Sequence, residues 1–295
     1  MRRLDVRRIV RWTLAAAAAA FGALVYLYVT LPDVRPLRNR NPETTAFMEL
    51  RAAEARAEGK PVRRDWRWVP YARISPALRR AVIAAEDGAF WEHRGVDVHE
   101  IKASLKSHLP RGRFPRGAST ITQQLAKNLY LSPSRDPIRK LRELFIARRL
   151  EAELSKRRIL ELYLNVIEWG HHVYGAEAAA RKYFGKPAAA LNVAEAALLA
   201  GAIVNPRVLN PARPSTGLRW RQRLILRRLR EPGTPGPLPP APDLADAPGL
   251  DPAAVVPHAE APLDPTALFG PPEQPPAPPS PAPDGPAQRD ESIDR

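Results

Sequence analysis

The sequence predicts a mainly α-helical domain behind one N-terminal membrane-spanning helix, followed by a disordered C-terminal tail. Three observations predict it. Trp12 to Leu31 is a run of 20 residues without a charge. Between residues 42 and 230, apolar residues recur every three or four positions in segments that often open on Ser, Thr or Asp. No stretch in that region shows the apolar-polar alternation of a half-buried strand.

At about 1.5 Å of rise per residue, the uncharged run forms a helix roughly 30 Å long, the thickness of a bilayer's hydrocarbon core. Residues 1–11 carry Arg2, Arg3, Arg7, Arg8 and Arg11 against Asp5 alone. Such a segment stays in the cytoplasm, which sends everything after Pro32 to the outer side. Trp12, Tyr26 and Tyr28 lie near the ends of the run, where amphipathic rings favour the interface. The alanines also offer small-residue sites for signal-peptide cleavage, but the apolar run continues well beyond them and favours an uncleaved anchor.

The chain has 295 residues, no cysteine and a net charge of +15. Disulfides and thiolate chemistry are therefore excluded. From Glu231 onward there are eleven acidic residues, two arginines and 20 prolines. That tail, 231–295, carries −9 and cannot bury enough apolar surface to offset its ordering entropy. The remainder carries +24 and calls for an anionic partner. An outer-face location excludes nucleic acid as that partner and leaves anionic lipid or diphosphate-bearing cell-wall precursors.

Residues 32–65 read as a juxtamembrane linker in which 42–60 is helix-prone, with Gly59 as its stop. Ser75-Pro76 starts a helix whose apolar face, Leu78, Val82 and Ala85, leads to adjacent carboxylates, Glu86 and Asp87. Gly88 follows, the usual residue for leaving a helix in a left-handed conformation. At a helix C-terminus the macrodipole disfavours negative charge, and Asp87 adds a second like charge, so Glu86 is expected to be a good proton acceptor. Phe90, Trp91, His93 and Asp97 supply an aromatic and polar loop beyond it. A solvated Glu-Asp pair at an ordinary helix end fits this stretch alone equally well.

A short helix over 101–109 and a basic loop at 110–117 come next. Thr120 and Gln123 have capping-box spacing, so a helix begins there with unpaired backbone N–H groups. Ile121, Leu125 and Leu129 mark its buried side, while Gln124, Lys127 and Asn128 fall on another face that suits an anionic or sugar ligand, although taken alone the segment reads more readily as a surface amphipathic helix. Asp136-Pro137 opens a helix with Ile138, Leu141, Leu144 and Phe145 as its apolar face. Lys140 and Glu143, three apart, are neighbours on it, either as an exposed ion pair or as a second functional carboxylate beside a cation. Further helices are expected after Ser155 to Asn165, from Tyr174 to Phe184, from Val193 to Ile203 and from Ser215 to Arg230, the last with Leu218, Ile225 and Leu229 inward.

Five motifs, EDGAFWEHRGVD (86–97), RGASTITQQLAKN (116–128), RKLRE (139–143), SKRRILELYLN (155–165) and YGAEAAARKYFGK (174–186), together resemble the peptidoglycan glycosyltransferases of the monofunctional biosynthetic type. The resemblance implies a lysozyme-like helical domain at 66–230 that polymerises lipid II on the outer face of a bacterial inner membrane. By that resemblance Glu86 is the general base for the acceptor sugar's 4-hydroxyl, with Asp87 in support. Glu143 beside Lys140 is the second essential carboxylate. Lys127 and Arg135 neutralise the diphosphate leaving group, and Thr120, Gln123 and Gln124 line the cleft. It also implies a divalent cation, Mg²⁺, with lipid II, the growing glycan and the membrane as partners, and other cell-wall synthesis or divisome proteins as candidates. Two other readings remain open: a muramidase using the same two carboxylates, and an inactive anchored scaffold whose tail recruits partners.

Overall fold

The computed structural model describes residues 6–98, 102, 119–132 and 136–231. The expected helix at 101–109 apart from Lys102, the basic loop at 110–117, Arg135 and the segment 232–295 lie outside the described residues. What is described is mainly helical, as expected. In chain order the helices are α1 (Val6–Val29), α2 (Ala46–Ala57), α3 (Pro76–Glu86), α4 (Ile121–Tyr130), α5 (Pro137–Glu153), α6 (Lys156–Val166), α7 (Ala176–Phe184), α8 (Val193–Ala202) and α9 (Thr216–Arg230).

Helix starts follow the sequence closely. Thr45, Ser75, Thr120, Asp136, Ser155, Asn192 and Ser215 each accept a backbone N–H of the first turn through their side chain. A cap of this kind contributes about 1 kcal/mol. Inside, α3 packs against α8 and α9, and α4 packs against α2, α5 and α6. The largest fully buried side chains include Trp169, Tyr163, Tyr174 and Phe90, with Leu125, Ile146 and Leu160 among them.

Helix α1 contains a stretch, Arg8–Val29, long and apolar enough to cross a bilayer and almost bare of protein contacts. Its end is not left frayed. Arg149 of α5 donates to the carbonyl of Tyr28 at 3.1 Å and, at 3.4 and 3.5 Å, to those of Leu31 and Pro32. Arg142 donates to the Thr30 carbonyl at 3.2 Å. Carbonyls at and just past a helix C-terminus have few or no intrahelical partners, and these four receive guanidinium donors. The Arg149 guanidinium also lies 4.4 Å from the Tyr28 ring centre, and Phe145 meets that ring edge-on.

This docking explains a correction. The apolar face expected for α5, Ile138, Leu141, Leu144 and Phe145, is not the face it buries. Its buried residues are Glu143, Ile146, Ala147 and Leu150, whereas Ile138 is 60% exposed. Phe145 of α5 meets the end of the anchor helix instead of the core, and a carboxylate takes a core position.

A three-stranded sheet, unexpected from the sequence, joins β1 (Asp65–Trp66), β2 (Glu168–Gly170) and β3 (Val173–Tyr174) in the order β1-β3-β2. β1 runs parallel to β3, and β2 antiparallel to it. Strands of two or three residues are too short to carry a period-two signal. Tyr174, expected at a helix start, is in β3, and α7 begins after Gly175, whose φ is +80°. A Cβ at Gly175 would lie 2.7 Å from the Asn165 carbonyl oxygen. Gly175→Ala therefore combines a strained backbone with a clash against main chain, and is expected to lower unfolding free energy by about 2 kcal/mol or more in chemical denaturation. Gly59→Ala, also at positive φ but with open space around it, should cost less.

Candidate active site

Leu78, Val82 and Ala85 of α3 are buried, which carries the final residue, Glu86, to the edge of the core. The helix does not leave through a left-handed Gly88. Asp87 ends it in an extended conformation, φ −164°, and Gly88 is not among the residues with positive φ. The turn is dictated by what Asp87 holds. Buried, it accepts the backbone N–H of Ile121 on Oδ2 at 2.9 Å and meets His93 Nε2 with Oδ1 at 2.8 Å. Gly95 N–H donates to His93 Nδ1 at 3.1 Å, so the Nδ1 lone pair is in use and Nε2 carries the proton given to Asp87.

Two of the first three backbone N–H groups of α4 are consequently taken, where the sequence suggests an open N-terminus. Ile121 N–H belongs to Asp87, and Gln123 N–H belongs to the Thr120 hydroxyl at 3.2 Å. Thr120 in turn donates its hydroxyl to the Gly95 carbonyl at 2.7 Å and its own N–H to Gln123 Oε1 at 3.0 Å. Both side chains are buried. The structure spends Thr120 and Gln123 on fastening α4 to the loop after α3. Phe90 is likewise core, while Trp91 is about half exposed.

Gln124, one residue further, faces Glu86. Its Nε2 donates to Glu86 Oε2 at 2.9 Å and to the Ser119 carbonyl at 3.3 Å. Tyr163 of α6 donates its hydroxyl to Gln124 Oε1 at 2.8 Å, which fixes the amide with its NH₂ towards the carboxylate. Burial raises the Tyr163 pKa well above its ordinary value, so it stays a donor. Glu86 itself is raised, first by burial. The Gln124 hydrogen bond and the charges of Arg221 and Lys127 oppose the rise, and Asp87 adds to it only as the smallest contribution. The upward direction expected from the sequence holds, and the Asp87 charge contributes to it, but desolvation is the larger cause.

The second carboxylate, Glu143, is buried and pinned. Arg139 Nη1 lies 2.7 Å from Oε2, and Lys140 Nζ bonds Oε1. Lys140 also donates to the Ser119 hydroxyl at 3.0 Å. Ser119 therefore touches both halves of the site, Gln124–Glu86 through its carbonyl and Lys140–Glu143 through its hydroxyl. Lys127, on α4, makes no hydrogen bond or ion pair among the described residues. Burial lowers its pKa, while Glu143 and, more weakly, Glu86 raise it. One ammonium thus feels both carboxylates. Around Glu143 three cations face one anion, a standing excess of positive charge.

The sequence reading did not single out Ser119, Tyr163, Arg139 or Arg221. Arg139 had a signal, four residues before Glu143 on one helix. Tyr163 looked like an ordinary apolar position, and Ser119 and Arg221 gave no sign. Arg135 lies outside the described residues. Among the described residues no three His, Asp or Glu side chains converge as a metal cage. Both oxygens of Glu143 are engaged by cations, so these side chains do not fit a resident divalent ion.

A family model described as Transglycosylase matches residues 54–230. Among the similar proteins named biosynthetic peptidoglycan transglycosylase, three illustrate the match. That of Azoarcus sp. is 51% identical over 199 residues, 67% of this chain and 86% of the relative. Those of Nitrosospira multiformis and Chromobacterium violaceum are 47% identical over 195 residues (66% and 85%) and 45% identical over 222 residues (75% and 96%).

Two outcomes follow from the electrostatics. Gln124→Ala removes a hydrogen bond that favours ionised Glu86, so the acid limb of the kcat/KM pH profile should move to higher pH. Because the folded pKa of Glu86 lies above its unfolded value, stability falls as pH rises through that interval and its ionised form is a net cost above it. Glu86→Gln should therefore raise the Tm at pH 7 and leave it little changed at pH 4.

Proposed function

Since the chain belongs to the transglycosylase family, we propose that it polymerises lipid II into the linear glycan strands of peptidoglycan. The observation that carries this reading is the pairing, through Ser119 and Lys127, of a raised carboxylate with a pinned cation cluster. Glu86 removes the proton from the acceptor N-acetylglucosamine 4-hydroxyl. That oxygen forms its bond to C1 of the donor N-acetylmuramic acid as the bond to undecaprenyl diphosphate breaks, and the configuration at C1 inverts. A raised pKa brings the base closer to the operating pH. Lys127, Arg139 and Lys140 stabilise the charge that develops on the departing diphosphate, and Glu143 keeps Arg139 and Lys140 in place. Arg135 adds a further cation. Asp87, Thr120 and Gln123 hold the geometry, and Gln124 orients the base.

A Mg²⁺ ion would come with the diphosphate of the substrate, in keeping with that ion's habit of binding substrate phosphates. Helix α1 serves as the single-pass anchor in a bacterial inner membrane, arginines inward and the enzyme domain outward. Because α5 both caps α1 and carries Glu143, the cation cluster stands near the membrane surface, where a polyprenyl diphosphate presents its charge.

A muramidase would use two carboxylates without a diphosphate clamp, and the cluster of Lys127, Arg139 and Lys140 weighs against it. Purified protein should polymerise lipid II and leave isolated sacculi intact. Glu86→Gln should reduce polymerisation about 10²–10⁴-fold, and Glu143→Gln, which leaves its cations unpinned, should reduce it comparably. Release of soluble muropeptides from sacculi would contradict the synthetic reading.

A further inference from the structure

A cavity of about 400 Å³ opens between α2 and the irregular segment before β1, away from Glu86 and Glu143, and no role is assigned to it above. We propose that this cavity binds a short carboxylate-bearing peptide.

The charge on its wall is the first reason. Arg51, Arg56, Arg63 and Arg64 line it, against Glu49 as the one carboxylate of the lining. Arg51 is neutralised and fixed, 2.8 Å from Glu54 and 3.3 Å from Glu168. Glu49 is occupied by the Thr44 hydroxyl at 2.6 Å. Arg64 is oriented but not neutralised: it donates to Thr44 Oγ1 at 3.2 Å and lies 5.5 Å from the Trp66 ring centre. Arg56 and Arg63 make no hydrogen bond or ion pair among the described residues. Three guanidinium groups with no ion-pair partner among the described residues thus surround one concavity against the single charge of Glu49, and guanidinium matches carboxylate geometry with paired N–H donors.

The rest of the wall argues for an organic ligand over a bare anion. Met48, Ala52, Val62 and Tyr174 also line the cavity, and Met48 and Tyr174 are buried and form a fixed apolar floor. The volume falls within the range of small-ligand sites, and a lone phosphate would leave most of it unfilled. Arg64 runs directly into β1, which sits at the edge of the sheet with β3 on one side only. An extended peptide can add its backbone at such an edge while its carboxylates reach the arginines. The inference rests on the proposed function only for the peptide's source, the peptides that the glycan of peptidoglycan carries.

The test uses the full chain in detergent and a fluorescently labelled Ala-Glu-Ala-Glu-Ala with a free C-terminal carboxylate, read by fluorescence polarisation. Binding should exceed that of the labelled Ala-Gln-Ala-Gln-Ala amide at least tenfold. Arg56→Glu/Arg63→Glu should weaken it at least tenfold and Arg56→Gln/Arg63→Gln by less, with melting temperature and lipid II polymerisation of both variants unchanged. Equal binding of the two peptides, or wild-type binding by the Glu double variant, overturns the proposal. So does full displacement by an equal concentration of inorganic phosphate, which marks a plain anion site, or arginine-dependent binding of phosphatidylglycerol micelles in place of the peptide. Polymerisation is measured on the same samples, so a wild type that binds peptide but makes no glycan would refute the proposed function and leave this site standing.

Discussion

The carboxylate of Asp87 is the constraint on which the site depends. One oxygen takes the first N–H of α4 and the other takes the Nε2 proton of His93, so the end of α3 and the start of α4 are held against each other. A negative charge at a helix N-terminus is favoured by the macrodipole, and the backbone there leaves N–H groups that need acceptors. Only with the two helix ends joined in this way does Gln124, one turn into α4, meet Glu86 at the last position of α3. The adjacent acids have divided the work: Asp87 is spent on architecture, and Glu86 is left with one side-chain hydrogen-bond donor among the described residues and an elevated proton affinity.

The same division appears around Glu143. Its burial would be prohibitive alone, and Arg139 and Lys140 make it tolerable. Taking away one partner of a buried pair typically costs about 3–5 kcal/mol, whereas the intact pair adds little stability over an apolar replacement. Such an arrangement is better understood as positioning than as stabilisation. Glu143 fixes two cations whose own neutralisation is incomplete, since Lys127 adds a third. The surrounding helices, with their capped starts and closely packed interiors, offset what the site costs.

Much of this was legible in the chain. Capping residues at 75, 120, 136, 155 and 215 placed helix starts to within a residue, and the spacing of Lys140 and Glu143 announced their contact. The unreadable parts share a physical cause: they depend on partners distant in sequence. Asp87 could be seen as a second charge near Glu86, but its bond to Ile121 spans 34 positions. Tyr163 passes for core until Gln124 arrives 39 positions away. The face of α5 was misassigned because an apolar stripe does not say whether it seeks the core or the end of a membrane helix, and Arg149 capping α1 reveals which. The short strands had no period to display.

The central claim is that burial, tempered by one amide hydrogen bond, keeps the Glu86 carboxyl protonated to higher pH than an ordinary glutamate. Its most direct measurement is a ¹³C NMR titration of glutamate-labelled protein, with the Glu86 carboxyl signal identified by its loss in Glu86→Gln. A midpoint above the ordinary glutamate value of 4.5 is expected. A midpoint at or below that value would show that the neighbouring cations outweigh desolvation, and the assignment of Glu86 as a base raised by burial would be wrong.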